Sequence, residues 1–180
     1  MTVSKSSKNF QRFLIKNKNK CSKFNKNFIT ADFETILVNE RHYISLYTIV
    51  DENGIIASDS YCNYEFSTEN QFVNISKSIL KTFLESIYDY NKKQIRTVYF
   101  HNFSKFDSIF LLEYLCSDTQ FEIVDIISRD NYLYSLTLKK DDIIMSFCDS
   151  YLYLPFKLEE LSITFETKKK KIDVRFSYFY

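Results

Sequence analysis

Apolar residues recur along this chain with two different periods, and each period predicts one type of element. Alternating or continuous apolar runs predict seven strands, at 28–38, 42–50, 55–66, 95–100, 121–128, 132–138 and 143–147. Asn53-Gly54 predicts a tight hairpin turn between the second and third strands. Apolar residues at helical spacing from Phe72 to Ile87 follow capping residues at 67–70 and predict an amphipathic helix.

Two shorter helices are predicted later in the chain. Ser104 can cap a helix that runs through Leu115, and the spacing places Ile109, Leu112 and Leu115 on its buried face. The second short helix covers 155–165. The order of elements is three strands, helix, strand and helix, followed by further strands. This order predicts an α/β domain with a mixed central sheet flanked by helices.

Two acidic residues interrupt the first apolar strand. Asp32 and Glu34 are two positions apart, so in a strand they project from the same face, while Phe33 points to the opposite layer. Like charges in an apolar setting repel each other and lose solvation. A divalent cation between them would offset both costs, and ligation by oxygen alone suits magnesium or manganese.

A third carboxylate, Asp107, follows the predicted fourth strand at the start of a helix. In ribonuclease H-like domains, which share this order of elements, the first strand and this junction supply carboxylates to one site. Convergence of Asp32, Glu34 and Asp107 would allow two-metal phosphodiester hydrolysis, with ions roughly 4 Å apart. The neighbouring residues suited to contact a single strand are Thr35, His101, Asn102 and Phe106.

Composition narrows the class of protein. A chain of 180 residues that is 45% hydrophobic and 18% aromatic has room for one domain with a core, and a wholly disordered chain is excluded. The abundant Lys, Asn, Ile, Phe and Tyr have A/T-rich codons, which favours an A/T-rich genome, such as that of an organelle, a linear plasmid or some parasites. The four cysteines lie far apart, so neither zinc nor a disulfide framework is expected. No apolar run is long enough to cross a membrane.

Positive charge is concentrated at the amino-terminal end. Residues 1–27 contain eight basic residues and no acidic one, so the rest of the chain has an acidic excess. Such an arm can contact nucleic acid phosphates, act as a mitochondrial import sequence, or be a solvated and disordered tail. The domain itself is expected to cover 28–180.

Three segments resemble family B DNA polymerases, especially the protein-primed branch of phages and linear mitochondrial plasmids. Residues 32–35 are similar to the family's first exonuclease motif, and residues 101–111 are similar to its second. Residues 149–155 are similar to a Ser-Leu segment that contacts single-stranded DNA and the priming protein, with Tyr151 in place of the leucine. The resemblance implies a ribonuclease H-like 3′→5′ exonuclease domain. Asp32, Glu34 and Asp107 would be its catalytic metal ligands, and Ser150 would join the single-strand contacts.

The resemblance is incomplete after Pro155. No Tyr-x-x-x-Asp, the family's third exonuclease motif, occurs there, and no polymerase-domain motif is found. We therefore expect an exonuclease domain truncated at its carboxyl end, located in mitochondria, and inactive or weak by itself. Two alternatives remain. The chain could be an inactive ribonuclease H-like module that binds single-stranded DNA, or the product of a degenerate plasmid-derived reading frame. It could also be a different ribonuclease H-like nuclease whose last metal ligand is not recognised.

Overall fold

A computed structural model describes residues 28–60, 68–93, 96–117 and 120–166. The basic arm at 1–27 and the aromatic end at 176–180 lie outside the described residues. The described residues up to Pro155 belong to one compact unit, and residues 156–166 belong to a second. Each unit is therefore described by itself.

Seven strands form one mixed sheet in the first unit, in the order β3-β2-β1-β4-β7-β6-β5. The three central strands β1, β4 and β7 are parallel, and the other neighbours are antiparallel. All seven predicted strands are present, although the third ends at Ser60 and the rest of its predicted span lies outside the described residues. The strands are β1 (Phe28–Val38), β2 (Arg41–Asp51), β3 (Gly54–Ser60), β4 (Thr97–Phe100), β5 (Glu122–Arg129), β6 (Tyr132–Lys140) and β7 (Ile143–Asp149).

The long predicted helix, α1 (Glu69–Asn91), covers one face of this sheet. Thr68 and Gln71 form a capping box at its start, which satisfies backbone N–H groups that lack helical partners. Phe83 is fully buried, and its ring contacts Phe33 of β1 at 4.9 Å and Phe100 of β4 at 5.9 Å. These edge-on aromatic contacts hold the core directly beneath the central strands.

The second helix differs from the prediction. A 3₁₀ turn spans Phe103–Lys105, and α2 (Asp107–Ser117) begins only after it, so Ser104 does not cap the helix. The predicted buried face is also wrong at Ile109, which is 57% exposed, whereas Leu111 is fully buried. Leu115 is buried as predicted and Leu112 is half-buried, so the buried face of α2 is centred on Leu111 and Leu115, and Ile109 lies on the solvent side.

The described part of the second unit contains one short helix, α3 (Leu158–Thr164), within the predicted span 155–165. In the described part of the chain, no helix is long and apolar enough to cross a membrane. Cys116 and Cys148 are free thiols. Cys21 and Cys62 lie outside the described residues.

Candidate nuclease site at the sheet edge

The first pair of carboxylates lies on the face of β1 that is turned away from α1. Phe33, between them, is 4% exposed and packs into the aromatic core. Asp32 is exposed and Glu34 is half-buried. The alternation predicted for this strand is therefore confirmed, with the carboxylates on one face and the aromatic ring on the other.

A β-bulge lies beside Glu34. The register between β1 and β2 pairs Glu34 with Leu46 and Thr35 with Ile44, so Ser45 is the extra residue. The Ser45 hydroxyl donates a hydrogen bond to the Glu34 carbonyl at 3.2 Å. Bulges change the direction of neighbouring side chains, and this one acts at the second carboxylate of the site.

Asp107, at the first position of α2, is only 4% exposed. Burial raises the pKa of its carboxyl to about 7, and the charge of Asp32 adds to this effect. Backbone N–H groups of Asp107 and Phe33 act in the opposite direction. The influence of Asp32 and Phe33 places Asp107 close to this part of β1.

The chemistry of this pair fits a divalent cation. Oδ1 of Asp107 is buried and has no hydrogen-bond partner among the described residues. A buried carboxylate oxygen in that state, next to a second carboxylate, gains most from a bound cation, and oxygen ligands favour magnesium or manganese. Within the described residues, however, no three or more His, Cys, Asp or Glu side chains form a group ready to hold a metal. The structure thus associates Asp107 with Asp32, and joint ligation that includes Glu34 stays a prediction.

A further buried carboxylate, Asp149 at the end of β7, holds the loop that leads to Asp107. Its side chain is 1% exposed and accepts three backbone hydrogen bonds. Oδ1 accepts from the N–H groups of Asn102 at 3.0 Å and Tyr151 at 2.8 Å, and Oδ2 accepts from Ser104 at 2.9 Å. Sequence reasoning did not assign this role. The available signal was an acidic residue that directly follows a buried apolar strand parallel to β4.

The predicted single-strand contacts lie in two small groups. Thr35 forms a hydrogen bond of 2.9 Å with Nδ1 of His42, and the His42 ring lies 5.5 Å from the ring of Phe106. His42 was not predicted, and it connects two residues that were. In the second group, Nδ1 of His101 lies 3.1 Å from the Ser150 hydroxyl.

Asn102 has a left-handed backbone conformation, with φ of 71° and ψ of 31°. Asparagine adopts this conformation more readily than most residues because its short polar side chain is accommodated there. Its N–H is held by Asp149. The loop conformation that presents His101 and Asn102 therefore depends on a local backbone preference and on one buried carboxylate.

Sequence comparison identifies relatives among DNA polymerases. A family model described as DNA polymerase type B, organellar and viral, matches residues 87–178. A probable DNA polymerase of Ascobolus immersus is 36% identical over 153 residues, which is 78% of this chain and 12% of that protein. The chain thus spans a small part of the length of this curated relative.

Structural comparison also finds DNA polymerases. Phi29 DNA polymerase complexed with primer-template DNA matches with a TM-score of 0.50 and 17% identity, over 83% of this chain and 25% of that chain. The same polymerase complexed with single-stranded DNA matches with a TM-score of 0.50 and 17% identity, over 84% of this chain and 26% of that chain. The mixed α/β fold is therefore shared with about a quarter of that polymerase chain.

Proposed function

Because this chain belongs to the organellar and viral family of type B DNA polymerases, we propose that it forms the 3′→5′ exonuclease region of a protein-primed polymerase. The observation that carries the proposal is the pairing of Asp32 with buried Asp107, whose Oδ1 has no hydrogen-bond partner. A buried carboxylate oxygen that lacks a hydrogen-bond partner among the described residues, next to a second carboxylate, is costly in the folded protein. A cation bound for catalysis would offset this cost.

In the proposed site, Asp32, Glu34 and Asp107 hold two Mg²⁺ or Mn²⁺ ions. When bound, these ions lower the pKa of a water and stabilise the leaving oxygen of the scissile phosphate. Asp149 keeps the loop before α2 in position through its three backbone hydrogen bonds. Asp107 therefore meets β1 in a fixed geometry, which is the condition for preorganised catalysis.

The DNA would approach along the two groups of polar and aromatic residues at this edge. The Phe106 ring is half-buried between His42 and Phe110, so one side of it is supported and can stack on a terminal base. The proposed polar contacts to the DNA strand are Thr35, His101, Asn102 and Ser150.

The proposal is tested with single-stranded DNA labelled near its 5′ end, so that shortening from the 3′ end gives a ladder. The 180-residue chain with Mg²⁺ or Mn²⁺ is expected to remove nucleotides slowly, and chelation of the metal should stop the reaction. Asp32→Ala and Asp107→Ala should abolish cleavage, since each removes a ligand oxygen from the site. Asp125→Ala, at an exposed position on β5, is the matched control and should leave the rate unchanged.

Two results separate this proposal from its alternatives. Binding of single-stranded DNA without any metal-dependent cleavage would leave only the binding-module interpretation. Cleavage that survives Asp32→Ala and Asp107→Ala would assign the reaction to other residues, or to a contaminating nuclease.

Two further parts of the proposal concern the cellular context. A terminal priming protein is the proposed protein partner, and cross-linking of that protein to the Ser150 segment would test the contact. Mitochondria are the proposed location, from codon usage and family, and fractionation of the source cells would test it.

A further inference from the structure

Lys105 lies between two tyrosine rings beside the proposed nuclease site. Its ammonium nitrogen is 5.9 Å from the centroid of the Tyr132 ring and 5.7 Å from that of Tyr151. The ring of His101 contacts Tyr151 at 5.6 Å, with the two planes at 65°. These four side chains come from three separate segments, so the group is built by the fold and not by neighbours in sequence.

Strand directions place this group at the same edge as the carboxylates. Lys105 follows the end of β4 and Tyr151 follows the end of β7, and these two strands are parallel. Tyr132 begins β6, which runs antiparallel to β7, and it pairs with Arg129 at the hairpin turn from β5. The turn between β5 and β6 therefore reaches the edge that carries Asp107.

Within the part of the chain that the structure describes, the charge of Lys105 is not neutralised by a carboxylate. Among the described residues, no acidic side chain lies within ion-pair distance of Lys105, although it is exposed. The nearest acidic residue of the hairpin turn, Asp130, forms an ion pair with Arg129 at 3.3 Å. A lysine held over two aromatic rings and left without an acidic partner can accept an anion.

One class of ligand matches both features of this group. Proteins bind single-stranded nucleic acid by stacking bases on aromatic side chains while cations contact the backbone phosphates. Tyr132 is 40% exposed and Tyr151 is half-buried, so both rings retain accessible surface. Tyr151 also stands where the resembled segment has leucine, so an aromatic ring replaces an aliphatic side chain at this position.

We infer that Lys105, Tyr132 and Tyr151 form an additional nucleotide subsite, which carries single-stranded DNA from the carboxylates toward the β5–β6 hairpin. Lys105 contacts a backbone phosphate and the tyrosines stack on bases. The inference rests on the proposed function, since it extends the DNA path of the same site. It adds Lys105 and Tyr132, to which the motif resemblance gives no role, and it gives the Tyr151 ring a stacking role within the 149–155 segment.

The test measures binding of fluorescein-labelled oligothymidylate to the 180-residue chain by fluorescence anisotropy, with EDTA present so that no hydrolysis occurs. Tyr132→Leu and Tyr151→Leu should each weaken binding by between about fivefold and a hundredfold, the usual range for loss of one stacking ring. Tyr132→Phe keeps the ring and should bind within about twofold of the unchanged chain.

Lysine variants test the phosphate contact separately. For Lys105→Gln, the slope of log affinity against log salt concentration should decrease in magnitude by about 0.7, the value for one phosphate contact on a single strand. Lys81→Gln makes the same charge change at an exposed position on α1 and should leave the slope unchanged. Urea denaturation midpoints equal to that of the unchanged chain verify that each variant is folded.

The possible failures are distinguishable. If the unchanged chain does not bind oligothymidylate, the proposed function and the subsite are both overturned. If it binds and the tyrosine and Lys105 variants bind equally well, with unchanged salt slopes, only the subsite is overturned. Equal salt slopes for Lys105→Gln and Lys81→Gln would likewise remove Lys105 from the phosphate path.

Discussion

The same substitution, Asp to Asn, should have opposite effects at the two buried aspartates of this site. Asp107 is 4% exposed and its Oδ1 has no hydrogen-bond partner, so its charge is a cost in the folded protein. Asp149 is 1% exposed and accepts three backbone hydrogen bonds, so its charge is compensated. Burial alone does not distinguish the two residues, and their hydrogen-bond partners do.

The size and sign of the Asp107 effect follow from its titration. Folding raises its pKa from 3.8 to about 7. Between these two values the folded state holds a proton that the unfolded state has released, so stability falls as pH rises through this window. Above pH 7 the full penalty applies, about 4 kcal/mol for a shift of about three units. Asp107→Asn should remove it, less about 1 kcal/mol for an imperfectly bonded amide.

At Asp149 the amide of asparagine is a poor replacement for the carboxylate. In either orientation its NH₂ group faces at least one backbone N–H, and that bond is lost. The remaining bonds lose their charge assistance. Asp149→Asn should therefore destabilise the fold by about 2–4 kcal/mol.

The assay is urea unfolding followed by circular dichroism at pH 5, 6, 7 and 8, with EDTA present. Asp107→Asn should gain stability at pH 8 and approach the unchanged chain at pH 5, and Asp149→Asn should lose stability throughout. Asp125→Asn, at an exposed position of β5, should change stability by less than about 0.5 kcal/mol. Equal pH slopes for the unchanged chain and Asp107→Asn would refute the assignment of an uncompensated charge to Asp107.

Three further outcomes are expected. Saturating Mg²⁺ at pH 8 should raise the urea midpoint of the unchanged chain but not that of Asp107→Asn, since a ligand that binds the folded state stabilises it. Leu111→Ala should cost about 2–5 kcal/mol, whereas Ile109→Ala should cost less than about 0.5 kcal/mol, because only Leu111 is fully buried; equal losses would contradict the placement of α2. Asn102→Ala should cost about 1–2 kcal/mol and Asn102→Gly much less in chemical denaturation, because φ at this position is 71°.

The strands were predictable because their apolar patterns are local and strong. The first strand was predicted at 28–38 and occupies Phe28–Val38, with Phe33 in the core as the two-residue period requires. The start of α2 was not predictable in this way. It depends on the 3₁₀ turn at Phe103–Lys105, which exists because Asp149 holds the N–H of Ser104 from another strand. A contact over 45 residues leaves no periodic signal in either segment.

The candidate site likewise contains residues that could be predicted from the sequence and residues that could not. Asp32 and Asp107 could be associated from sequence, because the order of elements matches that of ribonuclease H-like domains, where the first strand and the junction after the fourth supply carboxylates to one site. His42 and Tyr132 could not, because their roles come from cross-strand pairing and from a hairpin turn that brings separate segments together. Register and turn geometry are three-dimensional properties that single-residue patterns specify only weakly.

The two buried aspartates together explain how the site can exist in a stable fold. Asp107 is held in an unfavourable state against Asp32, and a loop free to move would relieve this by turning the carboxylate toward water. Asp149 prevents that movement, because its three hydrogen bonds tie Asn102 and Ser104 to the end of β7. The stabilising carboxylate thus offsets the cost of the reactive one and keeps it in place. Functional sites commonly retain a local cost of this kind that neighbouring structure compensates. On this argument, loss of Asp149 should reduce cleavage even where every proposed metal ligand remains.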